Sequence, residues 1–118
     1  MALLGASSNA VQQEVDSRAV IGRTMESGVP ASEALLSFTE AVIGSSEELE
    51  VSRESLMGAV GAAGFVEAAG VVAIFSALVR VADATGIPLD ESLRAATAES
   101  REALGLNSFS GAANTPTI

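Results

Sequence analysis

The segment from Ser55 to Val79 constrains the fold of this chain most, because its twenty-five residues include a single charged side chain, Glu67. The chain shows no strand-like alternation of apolar and polar residues, so the segment is predicted to be helical. Such a helix either spans a membrane or lies buried in an all-helical protein. Gly58, Gly61 and Gly64 dilute its first half, and a carboxylate at the centre of a membrane helix is costly. We therefore expect a buried helix in a soluble cytoplasmic protein, with no signal peptide and no membrane contact.

Helix-ending and helix-capping residues divide the rest of the chain into further helices. Gly86 and Pro88 end the long central helix, Ser52 is the predicted cap of a short helix before it, and Asp90 that of the helix after it. The sequence predicts an all-α bundle of about five helices with a long buried central helix. It is expected to form one domain over residues 1–105, followed by a flexible tail over 106–118. The predicted helices cover residues 8–27, 30–44, 52–61, 65–85 and 90–105.

The composition excludes several classes of function. Fifteen acidic residues and six arginines give a net charge of −9, which repels nucleic acid and anionic membranes. Cysteine, histidine, lysine and tyrosine are absent. Disulfides, thiol nucleophiles, imidazole bases and Cys/His metal sites are therefore excluded, and we predict no metal and no cofactor.

Helical geometry places Glu67 on a bulky face of the central helix. Its apolar neighbours make Glu67 a weak candidate for a catalytic carboxylate, with a solvated place in the first helical turn as the alternative. No second carboxylate shares this face, which argues against a paired acid–base mechanism. The neighbours on the face are Val71, Ile74, Leu78 and Val81.

Arg80 lies on a different face, whose small side chains allow a second helix to approach closely. Asp83 follows one turn later, so the two residues are predicted to form a structural ion pair. Binding of an anion by Arg80 is the alternative. We expect the small face to pack in a homo-oligomer, and it consists of Ala69, Ala73, Ser76 and Ala77.

Three pieces of the chain occur in an order that is typical of one helical family. The pieces are Leu35-Leu36-Ser37-Phe38-Thr39-Glu40, then Ala63-Gly64-Phe65, then Phe75 followed by Arg80-Val81-Ala82-Asp83 and Gly86-Ile87-Pro88-Leu89. Together they resemble the C-terminal half of the alkyl hydroperoxidase D-like, or carboxymuconolactone decarboxylase-like, superfamily. The resemblance covers about half the chain. It implies an all-helical fold that assembles into homo-oligomers.

The chain departs from that family in its chemistry. Peroxidases of the family use a Cys-x-x-Cys pair with a nearby His, and this chain has neither residue type. Thiol peroxidase activity is therefore excluded in this chain alone, and no catalytic position can be assigned from the resemblance. The favoured interpretation is a non-catalytic structural or regulatory member that forms homo-oligomers. The alternatives are a subunit that completes an active site with a Cys-bearing partner chain, and a carboxylate-based decarboxylase-like enzyme that uses Glu67.

Overall fold

The computed structural model describes Asp16, Arg18 and residues 27–115, and every regular element within these residues is helical. The predicted all-α fold is therefore confirmed. The described residues form four α-helices, whereas about five were predicted for the whole chain. The first predicted helix, 8–27, lies almost entirely outside the described residues. The α-helices are α1 (Ser32–Gly44), α2 (Leu49–Thr85), α3 (Glu91–Ala96) and α4 (Ala98–Ala103), followed by 3-10 helices at Leu106–Ser108 and Ser110–Asn114.

The start of α2 differs from the sequence prediction. The helix begins at Leu49 rather than after Ser52, and Ser52 lies buried within it. Ser46 takes part in the start instead: its hydroxyl accepts a hydrogen bond from the amide of Glu48 at 3.1 Å, and its carbonyl accepts one from Leu49 at 3.2 Å. Because these contacts satisfy amides that a helix start leaves without partners, the helix can begin three residues earlier than Ser52.

A break at Gly61 divides α2 into two helical segments. The backbone of Gly61 has φ 73° and ψ 175°, a combination that is essentially restricted to glycine. A Cβ atom built on Gly64 would lie 2.9 Å from the Cβ of Val60, so glycine is also required for the close approach beyond the break. The sequence predicts the end of the short helix within residues 61–64, and the break lies at Gly61, the first of them. The second segment begins immediately after Gly61 rather than at Phe65.

Residues 29–80 form one compact unit, and residues 81–115 belong to a second unit together with the described residues before Val29. The core of the first unit joins α1 to both segments of α2. Phe38 of α1, Leu56 of the first segment and Val72 of the second are all buried. The Phe38 ring also packs against Phe65, with 5.3 Å between the ring centroids and a 59° tilt.

In the second unit, α3 begins at the predicted cap. The Asp90 carboxylate accepts a hydrogen bond from the amide of Leu93 at 2.9 Å. Leu104, at the end of α4, is buried, and the Leu89 amide donates to the Thr115 hydroxyl at 2.9 Å across twenty-six residues. Residues 106–114, predicted as part of a tail, form the two 3-10 helices in this unit.

Candidate functional site

The second segment of α2 buries only one of its sides in the first unit. Phe65, Ala68, Ala69 and Val72 pack in or against the core. Their spacing of three and four residues places them on one side of the helix. Alanine at two of these four positions keeps this side narrow, so the phenylalanine ring can reach Phe38.

The opposite side of the segment exposes large apolar side chains. We name the outer stripe after its four members, Val71, Ile74, Phe75 and Leu78, which recur at helical spacing. Each of them is between 55% and 61% exposed. The predicted burial of the central helix is therefore not confirmed on this side within the single chain. The wider helix contains an eighteen-residue window with a mean hydropathy of 2.0, which is long and apolar enough to cross a membrane.

Glu67 lies exposed one turn before Val71, near the N-terminal end of the outer stripe. Within the described part of the chain, its carboxylate forms no hydrogen bond or ion pair. The residues needed for a catalytic pair are not brought to it by the described fold. A catalytic role for Glu67 stays a prediction, with no geometry in the described residues that supports it.

Arg80 and Asp83 are both exposed on α2. Neither forms an ion pair in the part of the chain that the structure describes, where the two ion pairs are Asp16–Arg18 and Glu50–Arg53. The geometric capacity for an i,i+3 pair remains, because the helix is continuous from Ala62 to Thr85. The predicted Arg80–Asp83 pair is not formed in the described residues, and it stays a prediction.

The predicted small-residue face is divided between the core and solvent. Ala69 and Ser76 are half-buried, and Ala69 packs against the core of the first unit. Ala73 and Ala77 are exposed. Only these two alanines are therefore accessible to a second chain, and they lie beside the outer stripe.

The region between Glu67 and Arg80 has an exposed apolar surface within the described residues. Among the residues that the structure describes, no group of three or more potential metal-binding side chains is formed. The long surface between Glu67 and Arg80 presents methyl, methylene and aromatic groups without an ionised side chain. Such a surface attracts apolar partners through the hydrophobic effect.

No protein-family model, curated protein or solved structure matches this chain.

The sequence predicts which residues form the bulky face of the central helix, but it does not show that this face is exposed. The signal that decides this is the spacing of Phe65, Ala68, Ala69 and Val72 relative to Phe38. An aromatic residue flanked by alanines fits closely against another aromatic ring, whereas a continuous row of Val, Ile and Leu does not distinguish core from interface.

Proposed function

We propose that this protein is a non-catalytic structural or regulatory member of the alkyl hydroperoxidase D-like superfamily, and that it acts through homo-oligomeric packing of α2. The partner is a second copy of this chain, and it covers the outer stripe. The observation that carries the proposal is the exposure of four large apolar side chains in a row on one helix. In the assembled protein, the central helix would then be buried on both sides.

The exposed apolar area is smaller than, but close to, what one partner buries in a standard interface. Between Val66 and Val79, six large apolar side chains are between 55% and 68% exposed. Together they present on the order of 600 Å² to solvent, at the upper end of what monomers typically expose. A standard interface buries roughly 800 Å² from each partner. The segment therefore supplies most of the surface that one copy would contribute.

The distribution of charge also favours this surface for self-association. Two copies that each carry a net charge of −9 repel one another at most approaches. The twelve residues 68–79 contain no ionisable side chain. Contact through this segment therefore brings no like charges together. Added salt should strengthen the assembly, because it screens the remaining repulsion and leaves the apolar contact intact.

The alternative of a membrane-spanning α2 has its support in the hydropathy of the helix. Two features argue against it. The charge-free stretch 68–79 is roughly 18 Å long as a helix, whereas the hydrocarbon core of a bilayer is about 30 Å thick. Gly61 also interrupts the helix on the other side of Glu67, and a break in regular backbone is unfavourable when exposed to lipid.

The family resemblance receives support from one contact. Phe38 belongs to the first matching piece and Phe65 to the second, and their rings pack against each other. Two residues that are distant in sequence but shared by the pattern therefore meet in the core. The contact is made because α2 brings Phe65 back to Phe38 of α1. The first two pieces of the pattern are therefore neighbours in the fold.

The proposal predicts that Leu78→Glu separates the copies. A carboxylate in the outer stripe would be desolvated in the interface without a partner, which is strongly unfavourable. Wild-type protein should sediment as an oligomer at low micromolar concentration, and the variant should sediment as a monomer. Analytical ultracentrifugation measures both, and far-UV circular dichroism should show unchanged helix content because Leu78 is exposed in the single chain.

Val51→Glu is the matched control. Val51 is also a large exposed residue of α2, but it lies before the break at Gly61 and outside the outer stripe. The control variant should remain oligomeric. A wild-type chain that is a folded monomer, or a Val51→Glu variant that dissociates as fully as Leu78→Glu, contradicts the proposed contact.

A further inference from the structure

A pocket lies in the second unit, well separated in sequence from the outer stripe. It has a volume of about 940 Å³ and is formed by the loop before α3, the two short α-helices and the 3-10 helices. Its walls combine two arginines with apolar side chains and small polar groups. The residues that the argument uses are Leu89, Arg94, Arg101, Leu106, Asn107 and Phe109.

Arg101 is held in place by neutral acceptors. Its Nη2 donates to the carbonyl of Arg94 at 2.8 Å, its Nε to the hydroxyl of Thr97 at 3.2 Å, and its Nη1 to Oδ1 of Asn107 at 3.5 Å. These contacts use three of the five N–H groups of a guanidinium. One N–H on each terminal nitrogen is therefore left for another acceptor.

The positive charge of Arg101 is not matched by a carboxylate in the described residues. Arg101 is half-buried and takes part in neither of the ion pairs found there. Among the residues that the structure describes, no acidic residue lines the pocket. Asp83 is not among the lining residues, but its Oδ1 would lie 4.0 Å from a Cβ atom built on Gly111, which does line the pocket. In a chain with fifteen acids and six arginines, a half-buried arginine whose described partners are all neutral is unusual.

We propose that this pocket binds a small carboxylic acid with an apolar body, and that Arg101 is the residue that binds the carboxylate. A guanidinium with one N–H remaining on each terminal nitrogen suits the two oxygens of a carboxylate. Leu89, Leu106 and Phe109 provide the apolar wall beside it. This site is independent of the proposed self-association and uses none of the same residues.

A monoanion fits the pocket better than a phosphate. The protein carries a net charge of −9, so its long-range field opposes a dianion more strongly than a monoanion. The weakly hydrated apolar part of the ligand would also gain contact with leucine and phenylalanine side chains, which inorganic phosphate cannot do. Benzoate, acetate and phosphate therefore distinguish binding of the anionic group by Arg101 from contact of the ligand with the apolar wall.

The test is a titration of the full chain with sodium benzoate, followed by NMR, with sodium chloride at matched ionic strength as the reference. Benzoate should produce saturable shifts of amides between residues 101 and 115. Acetate should bind more weakly because it lacks the apolar body, and phosphate should not saturate over the same range. The absence of saturable benzoate shifts, or phosphate binding as tight as benzoate, overturns the proposal.

The substitution Asn107→Asp should occupy Arg101 with a carboxylate of the protein itself, while the size of the side chain at position 107 stays nearly the same. The new carboxylate would take the position of Oδ1 and pair with Arg101, so benzoate should bind about tenfold more weakly. Asn114→Asp is the matched control, because it adds the same charge in the same region at a residue that does not line the pocket. Its benzoate affinity should change less than about twofold. Equal weakening in both variants would show a general charge effect and would overturn the assignment to Arg101.

Discussion

The carboxylate of Asp90 determines where α3 begins. It accepts hydrogen bonds from the hydroxyl of Ser92 at 2.6 Å and from the amide of Leu93 at 2.9 Å. These hydrogen bonds lower the pKa of Asp90 below its ordinary value, and the bond from the Ser92 hydroxyl contributes more than the bond from the Leu93 amide. The cap was predictable from the sequence because Asp before a short helical pattern, just after Pro88, is a strong local signal.

The lowered pKa of Asp90 predicts how stability depends on pH. A carboxyl whose pKa is lower in the folded state stabilises the fold above its ordinary pKa, and this contribution is lost as the pH falls through the lowered pKa. Asp90→Asn keeps a capping side chain but removes the titration. The melting temperature of this variant should therefore fall less than that of the wild type as the pH is lowered below about 4.

Glu91→Gln is the control for this measurement. Glu91 is adjacent and exposed, and its side chain has no hydrogen bond in the part of the chain described by the structure. The melting temperature of the Glu91→Gln variant should therefore fall with decreasing pH as much as that of the wild type. If Asp90→Asn and the wild type lose stability in parallel under acid, the hydrogen bonds to Asp90 do not contribute as described.

Glu67, Arg80 and Asp83 mark the limit of residue-level prediction from this sequence. Their positions on the helix follow from helical periodicity alone. Their exposure does not, because it depends on which side of α2 meets Phe38. Between residues 68 and 79 both sides are apolar, so this stretch contains no charged residue that would mark one of them as the solvent side. The ion pair predicted for Arg80 and Asp83 is not formed in the described residues, where both side chains are exposed.

At the scale of the helix, Gly61 separates two segments with different surroundings. Residues before the break contribute Leu56 to the core, and residues after it contribute Val72. Three closely spaced glycines made a boundary predictable in this region. The sequence could not show which of them adopts the unusual backbone conformation, because glycine is tolerated in a helix as well as in a turn.

Gly61→Ala should destabilise the fold because alanine does not adopt φ 73° with ψ 175° without strain. The expected loss is about 1–3 kcal/mol of the free energy of unfolding. Gly58→Ala is the control, since Gly58 lies in the same helix and nothing lies within 4 Å of an added Cβ. That variant should stabilise the helix by about 0.5–1 kcal/mol. Urea unfolding followed by circular dichroism measures both, and a Gly61→Ala variant as stable as Gly58→Ala would contradict the break.

For the whole molecule, the described residues bury few apolar side chains. Their buried apolar side chains are Phe38, Ala41, Leu56, Val72 and Leu104. So small a set leaves much apolar surface outside the fold of a single chain. The described fold locates a continuous part of this exposed apolar surface at the outer stripe, which the sequence alone did not show.

The same surface predicts how the protein behaves with lipid. We expect that phosphatidylcholine vesicles do not recruit the wild-type protein, because the proposed self-association would cover the outer stripe. Vesicle flotation at matched protein concentration is the measurement. Leu78→Glu serves as the comparison, since it interrupts the surface. Flotation of the wild type together with loss of flotation in the variant would show that α2 binds lipid.

The break at Gly61 also has a consequence for local opening of the backbone. Because the hydrogen-bond ladder of α2 is not continuous across Gly61, the amide protons of residues 49–60 and 62–80 need not be protected by the same opening event. Deuterium uptake should therefore distinguish two groups of amides within what is formally one helix.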